Sequence, residues 1–117
     1  MRIGIDIIEA DRFKNMPPAK LMRIFSNREM DYIQSKNNAP ETIAGLFAAK
    51  EAYFKALGIG VTPKQLRSIE IIYNELGAPY FTNSKELLED KTDGEMPATL
   101  SISHTKSVAV AVCILNF

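Results

Sequence analysis

The sequence predicts an α+β fold, built as one compact domain over residues 1–117, and three observations predict it. Residues Thr42 to Leu57 read TIAGLFAAKEAYFKAL, a long and mostly apolar helix without proline, with Gly58 just past its end as a C-cap. Arg2–Glu9 at the start, and Ala98–His104 with Val108–Leu115 at the end, alternate or run apolar as strands do. Strands and helices interleave without a regular βαβ repeat.

Taken in order, Arg2–Glu9 is rich in isoleucine and reads as a buried strand. Ile3, Ile5 and Ile7 share one face, and Gly4, Asp6 and Ile8 share the other. Ala10–Phe25 reads as helix broken at Pro17-Pro18, since proline cannot continue a helix interior. Ser26-Asn-Arg-Glu29 is a capping-box pattern that opens a short helix through Ile33. Asn37–Pro40 is a loop, and Glu41 favours the first turn of the long helix. Gly58–Pro63 reads as a loop, and Ser68–Tyr73 and Ala78–Phe81 as a hairpin turned at Asn74–Gly77. A short helix follows at Ser84–Glu89, then a polar loop at Lys91–Met96, then the terminal antiparallel pair.

Composition excludes several classes. Lys+Arg and Asp+Glu both number 14, so no basic excess marks a general nucleic-acid binder. No apolar run approaches the ~20 residues of a membrane span, and MRIGIDIIE carries an acidic residue and no cleavage-site pattern, so neither a span nor a signal peptide is expected. The expected location is the cytoplasm. Cys113 is the only cysteine, flanked by Val112 and Ile114, and reads as a buried structural thiol.

Charge on a mostly apolar helix is costly unless it is paired or binds something, and the long helix carries three charged residues in Thr42–Leu57: Lys50, Glu51 and Lys55. At ~100° per residue, Glu51 lies about 40° from Phe47, with Lys55 one turn on along the same edge. The plain reading is an i,i+4 ion pair worth a few tenths of a kcal/mol; the other is a site. Lys50 falls inside the apolar stripe, where it either snorkels along its stem or reaches an anion. Asp6 interrupts an isoleucine strand, where aspartate is disfavoured. One strand carboxylate and one helix carboxylate, completed by phosphate oxygens and waters, suit Mg²⁺. His104, the only histidine, stands where a strand meets a polar turn, and His104, Thr105 and Lys106 can supply donors to a phosphate. Arg12, Lys14, Lys20, Arg23 and Arg28 gather on the early helices, as a solvated face or as a dock for an acidic protein surface.

In their order and wording, these segments resemble holo-[acyl-carrier-protein] synthases, the small single-domain class of 4'-phosphopantetheinyl transferases. GIDIIEADRF (Gly4–Phe13) is similar to that family's first strand and the start of its first helix, FAAKEAYFKALGIG (Phe47–Gly60) to its signature helix, and LSISHTKSVAVA (Leu100–Ala109) to its C-terminal strand pair. The resemblance implies a mainly antiparallel sheet packed on the long central helix. It implies Mg²⁺-dependent transfer of the 4'-phosphopantetheine arm of coenzyme A to a serine of apo acyl carrier protein, in fatty acid or related biosynthesis, with release of adenosine 3',5'-bisphosphate.

The residue roles follow from the same resemblance. Asp6 and Glu51 match the magnesium-binding carboxylates, and Lys55 and His104 match residues near the coenzyme A phosphates, with Gly58 and Thr105 beside them. Glu51, directly or through a magnesium-bound water, is the expected acceptor of the serine proton. Arg12 matches a basic residue of the carrier-docking helix, which Lys20 and Arg23 extend. A homotrimer with active sites between subunits is implied. Two positions depart from the pattern: Leu46 stands where many members have Arg, and Ala78 where many have Lys, both bearing on coenzyme A contacts. A carrier-binding module that has lost the reaction is the main competing reading, and the intact carboxylate pair argues against it.

Overall fold

The computed structural model describes residues 1–82 and 98–116. Strand β1 (Arg2–Glu9) runs antiparallel to β5 (Val108–Leu115), and β5 runs antiparallel to β4 (Ala98–His104), giving a three-stranded sheet in the order β1-β5-β4. Helix α3 (Pro40–Leu57, 18 residues) lies across one face of it. Pro40 occupies its first turn with Glu41, and Gly58, at φ 76°, closes it through amide bonds to the carbonyls of Phe54 and Lys55. The hairpin β2 (Ile71–Tyr73) and β3 (Pro79–Phe81) turns at Asn74–Gly77, as expected, with the Asn74 side chain accepting from the amides of Leu76 and Ala78.

Cross-strand pairing puts Gly4 opposite Cys113, Asp6 opposite Ala111 and Ile8 opposite Ala109, and this is the face that meets α3. Small residues let the helix approach closely. An added Cβ on Gly4 would fall within contact distance of the Ala52 carbonyl oxygen and 2.7 Å from the Ala56 amide nitrogen. The other face of β1 is the surprise. Ile3, Ile5 and Ile7 remain 63%, 56% and 67% exposed, so the strand is buried on its glycine-aspartate face and bare on its isoleucine face. Cys113 is fully buried, and burial pushes its thiol pKa up to about 12, in keeping with a structural thiol.

Three local expectations are corrected. Ala10–Phe25 is not one broken helix: a 3₁₀ turn (Ala10–Phe13) ends before Asn15, which adopts φ 62°, and only α1 (Pro18–Leu21) follows. The proline pair starts α1 rather than interrupting a helix, because proline fits a first turn. The short helix, α2 (Asn27–Ser35), forms with its capping box intact, Ser26 and Glu29 each accepting the other's backbone amide, and runs two residues past Ile33. Pro63 does not end a loop but opens α4 (Pro63–Ser68), capped by a second such box, Thr62 with Gln65. The strand expected from Ser68 therefore starts at Ile71. The expected helix at Ser84–Glu89 and loop at Lys91–Met96 lie outside the described residues. Among the described residues no helix is long and apolar enough to cross a membrane.

Candidate active site

The sheet and helix bring three of the expected residues together. Lys55, in the last turn of α3, donates to Asp6 Oδ1 at 2.8 Å and to the Ile5 carbonyl at 3.2 Å. The partner of Lys55 is thus a strand carboxylate rather than Glu51 one turn back. The Asp6 side chain is only 11% exposed, and its second oxygen, Oδ2, is buried without a hydrogen-bond partner. A buried carboxylate oxygen left unpaired is costly, so this atom suits a cation as a ligand.

Glu51 is half-buried on the same side of α3. Burial, and then the Asp6 charge, raise its carboxyl above the ordinary 4.5, against the opposing pull of Lys55 and Arg12. Two carboxylates close enough to repel, one with an orphaned oxygen, form a hard-oxygen donor set. Among the described residues no cluster of three or more His, Cys, Asp or Glu stands ready to enclose an ion. Asp6 and Glu51 therefore fit an ion that takes its remaining ligands from substrate and water, as Mg²⁺ does.

Arg12, expected on the carrier dock, stands at the wall of this site. Its guanidinium lies 4.6 Å from the Phe47 ring centroid and bears electrostatically on Glu51. Lys20 lies in the last turn of α1 and Arg23 in the exposed turn after it. Arg28 is committed to an ion pair with Glu70 at 2.8 Å. Gly58 caps the α3 end, with the Arg2 guanidinium donating to the Leu57 carbonyl beside it.

His104 and Thr105 are not gathered with the trio. In the sheet register His104 pairs with Ala109, which pairs with Ile8, whereas Asp6 pairs with Ala111. Two strands and two residues therefore separate His104 from Asp6, about 12 Å between Cα atoms at ordinary sheet spacings. The Thr105 hydroxyl accepts from the amides of Ser107 and Val108 and shapes the exposed β4–β5 turn. Of the two departures, Leu46 is buried in the core and Ala78 is exposed in the hairpin turn.

Sequence reasoning left Lys50 open, and the structure supplies neither a snorkelling path nor an outside anion. Lys50 is fully buried, and its three N–H groups are shared among four acceptors, Glu29 Oε1 at 2.6 Å and the carbonyls of Ile24, Leu66 and Ile69, each at 2.9 Å. Burial lowers the Lys50 pKa and raises that of Glu29, and each charge opposes the other's shift. Glu29 was missed as a buried group because its capping role explains it locally. The available signal was Lys50 itself, since an ammonium inside an apolar stripe calls for a carboxylate elsewhere in the chain.

Residues 2–113 match the family model described as the 4'-phosphopantetheinyl transferase superfamily. The chain is 47% identical over 116 residues to a holo-[acyl-carrier-protein] synthase of Caldicellulosiruptor bescii, covering 96% of this chain and 94% of that protein. Two solved holo-[acyl-carrier-protein] synthases share its fold. One, from Bacillus anthracis and in complex with CoA (3',5'-ADP), has a TM-score of 0.79 and 36% identity, covering 97% of this chain and 94% of the other. The other, from Helicobacter pylori and in complex with coenzyme A, has a TM-score of 0.81 and 33% identity, covering 97% of this chain and 99% of the other. With the signature helix, the strand aspartate and the near full-length match in agreement, the chain belongs to the holo-[acyl-carrier-protein] synthase family within the 4'-phosphopantetheinyl transferase superfamily.

Proposed function

We propose that this chain transfers the 4'-phosphopantetheine arm of coenzyme A to a serine of an apo acyl carrier protein, with Mg²⁺ held by Asp6 and Glu51. The observation that carries the reading is the buried, unpartnered Asp6 Oδ2, on a carboxylate whose other oxygen accepts from Lys55 and whose charge acts on Glu51. The serine oxygen forms a bond to the β-phosphorus, and the bond from that phosphorus to the bridging oxygen breaks, releasing adenosine 3',5'-bisphosphate. Magnesium would neutralise charge that builds on the phosphoryl oxygens.

The chain's own groups do the rest by position and charge. Lys55 has three N–H donors and spends two on Asp6 and Ile5, leaving one for a phosphate oxygen. Glu51, beside Asp6 and within reach of the Lys55 and Arg12 charges, is placed to accept the serine proton directly or through a magnesium-bound water. Arg12, Lys20 and Arg23 receive the acidic carrier. Raising salt from about 0.05 to 0.5 M is expected to raise the carrier's KM roughly tenfold through screening, and a flat response contradicts the dock.

The active sites lie between subunits of a homotrimer in this reading. The bare Ile3, Ile5 and Ile7 face supports it, as an aliphatic patch of this kind calls for a cover. The distance of His104 and Thr105 from Asp6 supports it too, because a neighbouring subunit can bring them to the coenzyme. Ile5→Lys is expected to shift the mass in light scattering from three times 13.1 kDa towards 13.1 kDa and to lower transfer at least 10²-fold with Asp6, Glu51 and Lys55 intact. An active monomer contradicts the shared site. A lone buried cysteine is in keeping with a cytoplasmic setting.

The test is mass spectrometry of an apo carrier incubated with the protein, coenzyme A and Mg²⁺. A gain equal to one phosphopantetheine arm is expected. Carrier binding without any gain, across several carriers, assigns the chain to the non-catalytic alternative.

A further inference from the structure

We propose that Lys50 is a positioning residue: its buried ammonium, clamped by Glu29 and three backbone carbonyls, sets the roll of α3 and so aims Glu51 at Asp6. The inference rests on the reading of Glu51 as a metal-holding carboxylate.

The face that α3 presents to β1 offers little shape to define its rotation. Ala48, Ala49, Ala52 and Ala56 are all buried, and Gly4 lies against the backbone of Ala52 and Ala56. An alanine surface on a glycine strand packs closely but tolerates sliding and turning better than interlocked branched side chains do. Lys50 adds direction. Its acceptors come from four places: Ile24 in the turn after α1, Glu29 in α2, Leu66 in α4 and Ile69 just before β2. Glu29 is itself immobilised, Oε1 accepting from the Ser26 amide at 2.9 Å and Oε2 from the Ile71 amide at 3.0 Å. Glu70 extends the ties, accepting from Ser26 Oγ at 2.6 Å and from Arg28 at 2.8 Å.

Lys50 and Glu51 are consecutive, so their side chains leave the axis about 100° apart. Pinning one pins the other. A carboxylate ~5–6 Å from the helix axis moves ~1.5 Å for a roll of about 15°. Magnesium holds its ligands at about 2.0–2.1 Å in near-octahedral geometry and does not follow such a displacement. The Lys50 ammonium thus satisfies buried acceptors on four segments and, through them, fixes direction as well as stability.

The test is Lys50→Met/Glu29→Gln, which removes both charges together; the amide at position 29 keeps one acceptor oxygen for the Ser26 or the Ile71 amide and one NH2 for a freed carbonyl. The melting temperature is expected to fall by roughly 10 °C, because two of the three carbonyls of Ile24, Leu66 and Ile69 lose their donor. The crystal structure is expected to show α3 rolled by about 15° or more relative to β1. Turnover is expected to fall roughly 10²-fold with the carrier's KM nearly unchanged. An unrolled α3, or a rolled α3 with full turnover, overturns the proposal. Should that variant fail to fold, Glu29→Asp keeps the charge and shortens the tether by one methylene. Loss of turnover with a moved Glu51 is then expected, and unchanged position and turnover overturn the proposal. Failure of the parent reading shows separately, as no transfer by the unsubstituted protein, and the roll of α3 is measured without reference to transfer.

Discussion

Glu51→Gln is expected to lower turnover by 10² to 10⁴-fold, about the usual range for loss of a general base, and at the same time to raise the melting temperature of the metal-free protein at neutral pH. The two effects share a cause. Burial and the neighbouring Asp6 charge raise the Glu51 carboxyl above 4.5, so its anion is disfavoured in the folded state. A carboxyl whose folded pKa is raised stabilises the fold most below its unfolded pKa, and that advantage is lost as pH rises through the folded value. At neutral pH the anion is a net cost that the amide does not carry. The gap in melting temperature between variant and parent is therefore expected to close as pH falls from neutral to 4.5. Because Glu51 must be ionised to hold an ion, protons are expected to compete with Mg²⁺ and weaken its binding already above the ordinary glutamate range. Near-normal turnover of Glu51→Gln at saturating Mg²⁺ contradicts the assignment, and an equal melting temperature at every pH contradicts the electrostatic strain.

Gly4→Ala is expected to be the most damaging single methyl group in the molecule. The new carbon meets the backbone of α3, at the Ala52 carbonyl and 2.7 Å from the Ala56 nitrogen, and backbone cannot swing aside as a side chain does. Separating strand from helix breaks the contact between Asp6 and Lys55 and opens the core at Cys113 and Ala111. The expected loss is about 3 kcal/mol or more, a fall in melting temperature of at least ~12 °C. Gly60→Ala is the control, because nothing lies within 4 Å of its Cβ position; it is expected to change stability by less than about 0.5 kcal/mol. A Gly4→Ala protein that melts with the parent contradicts the close strand–helix approach.

Much of the site was legible because its residues break local rules. An aspartate in an isoleucine strand and charges on an alanine helix have no local rationale, and Asp6, Glu51 and Lys55 converge as that anomaly suggested. The long helix and the terminal strands were legible from composition and period, which local sequence carries. What escaped depends on partners distant in sequence. Lys50 needed Glu29, 21 residues away, and no pattern within α3 names that partner. The exposed face of β1 escaped because alternation assigns residues to two faces without saying which face is covered, and both faces of this strand carry apolar residues. The starts of α1 and α4 escape because proline breaks a helix interior yet fits a first turn, as Pro18 and Pro63 do.

The most direct measurement is transfer to an apo carrier, followed by mass, as Mg²⁺ is titrated into the protein and into Asp6→Asn side by side with coenzyme A saturating. The carrier is expected to gain one phosphopantetheine arm, with a rate that saturates in Mg²⁺ and vanishes on chelation. Asp6→Asn is expected to need at least roughly tenfold more Mg²⁺, because the buried oxygen pair of Asp6 loses its charge. Full-rate transfer under chelation, identical titrations for the two proteins, or no gain of mass contradicts a magnesium site shared by Asp6 and Glu51.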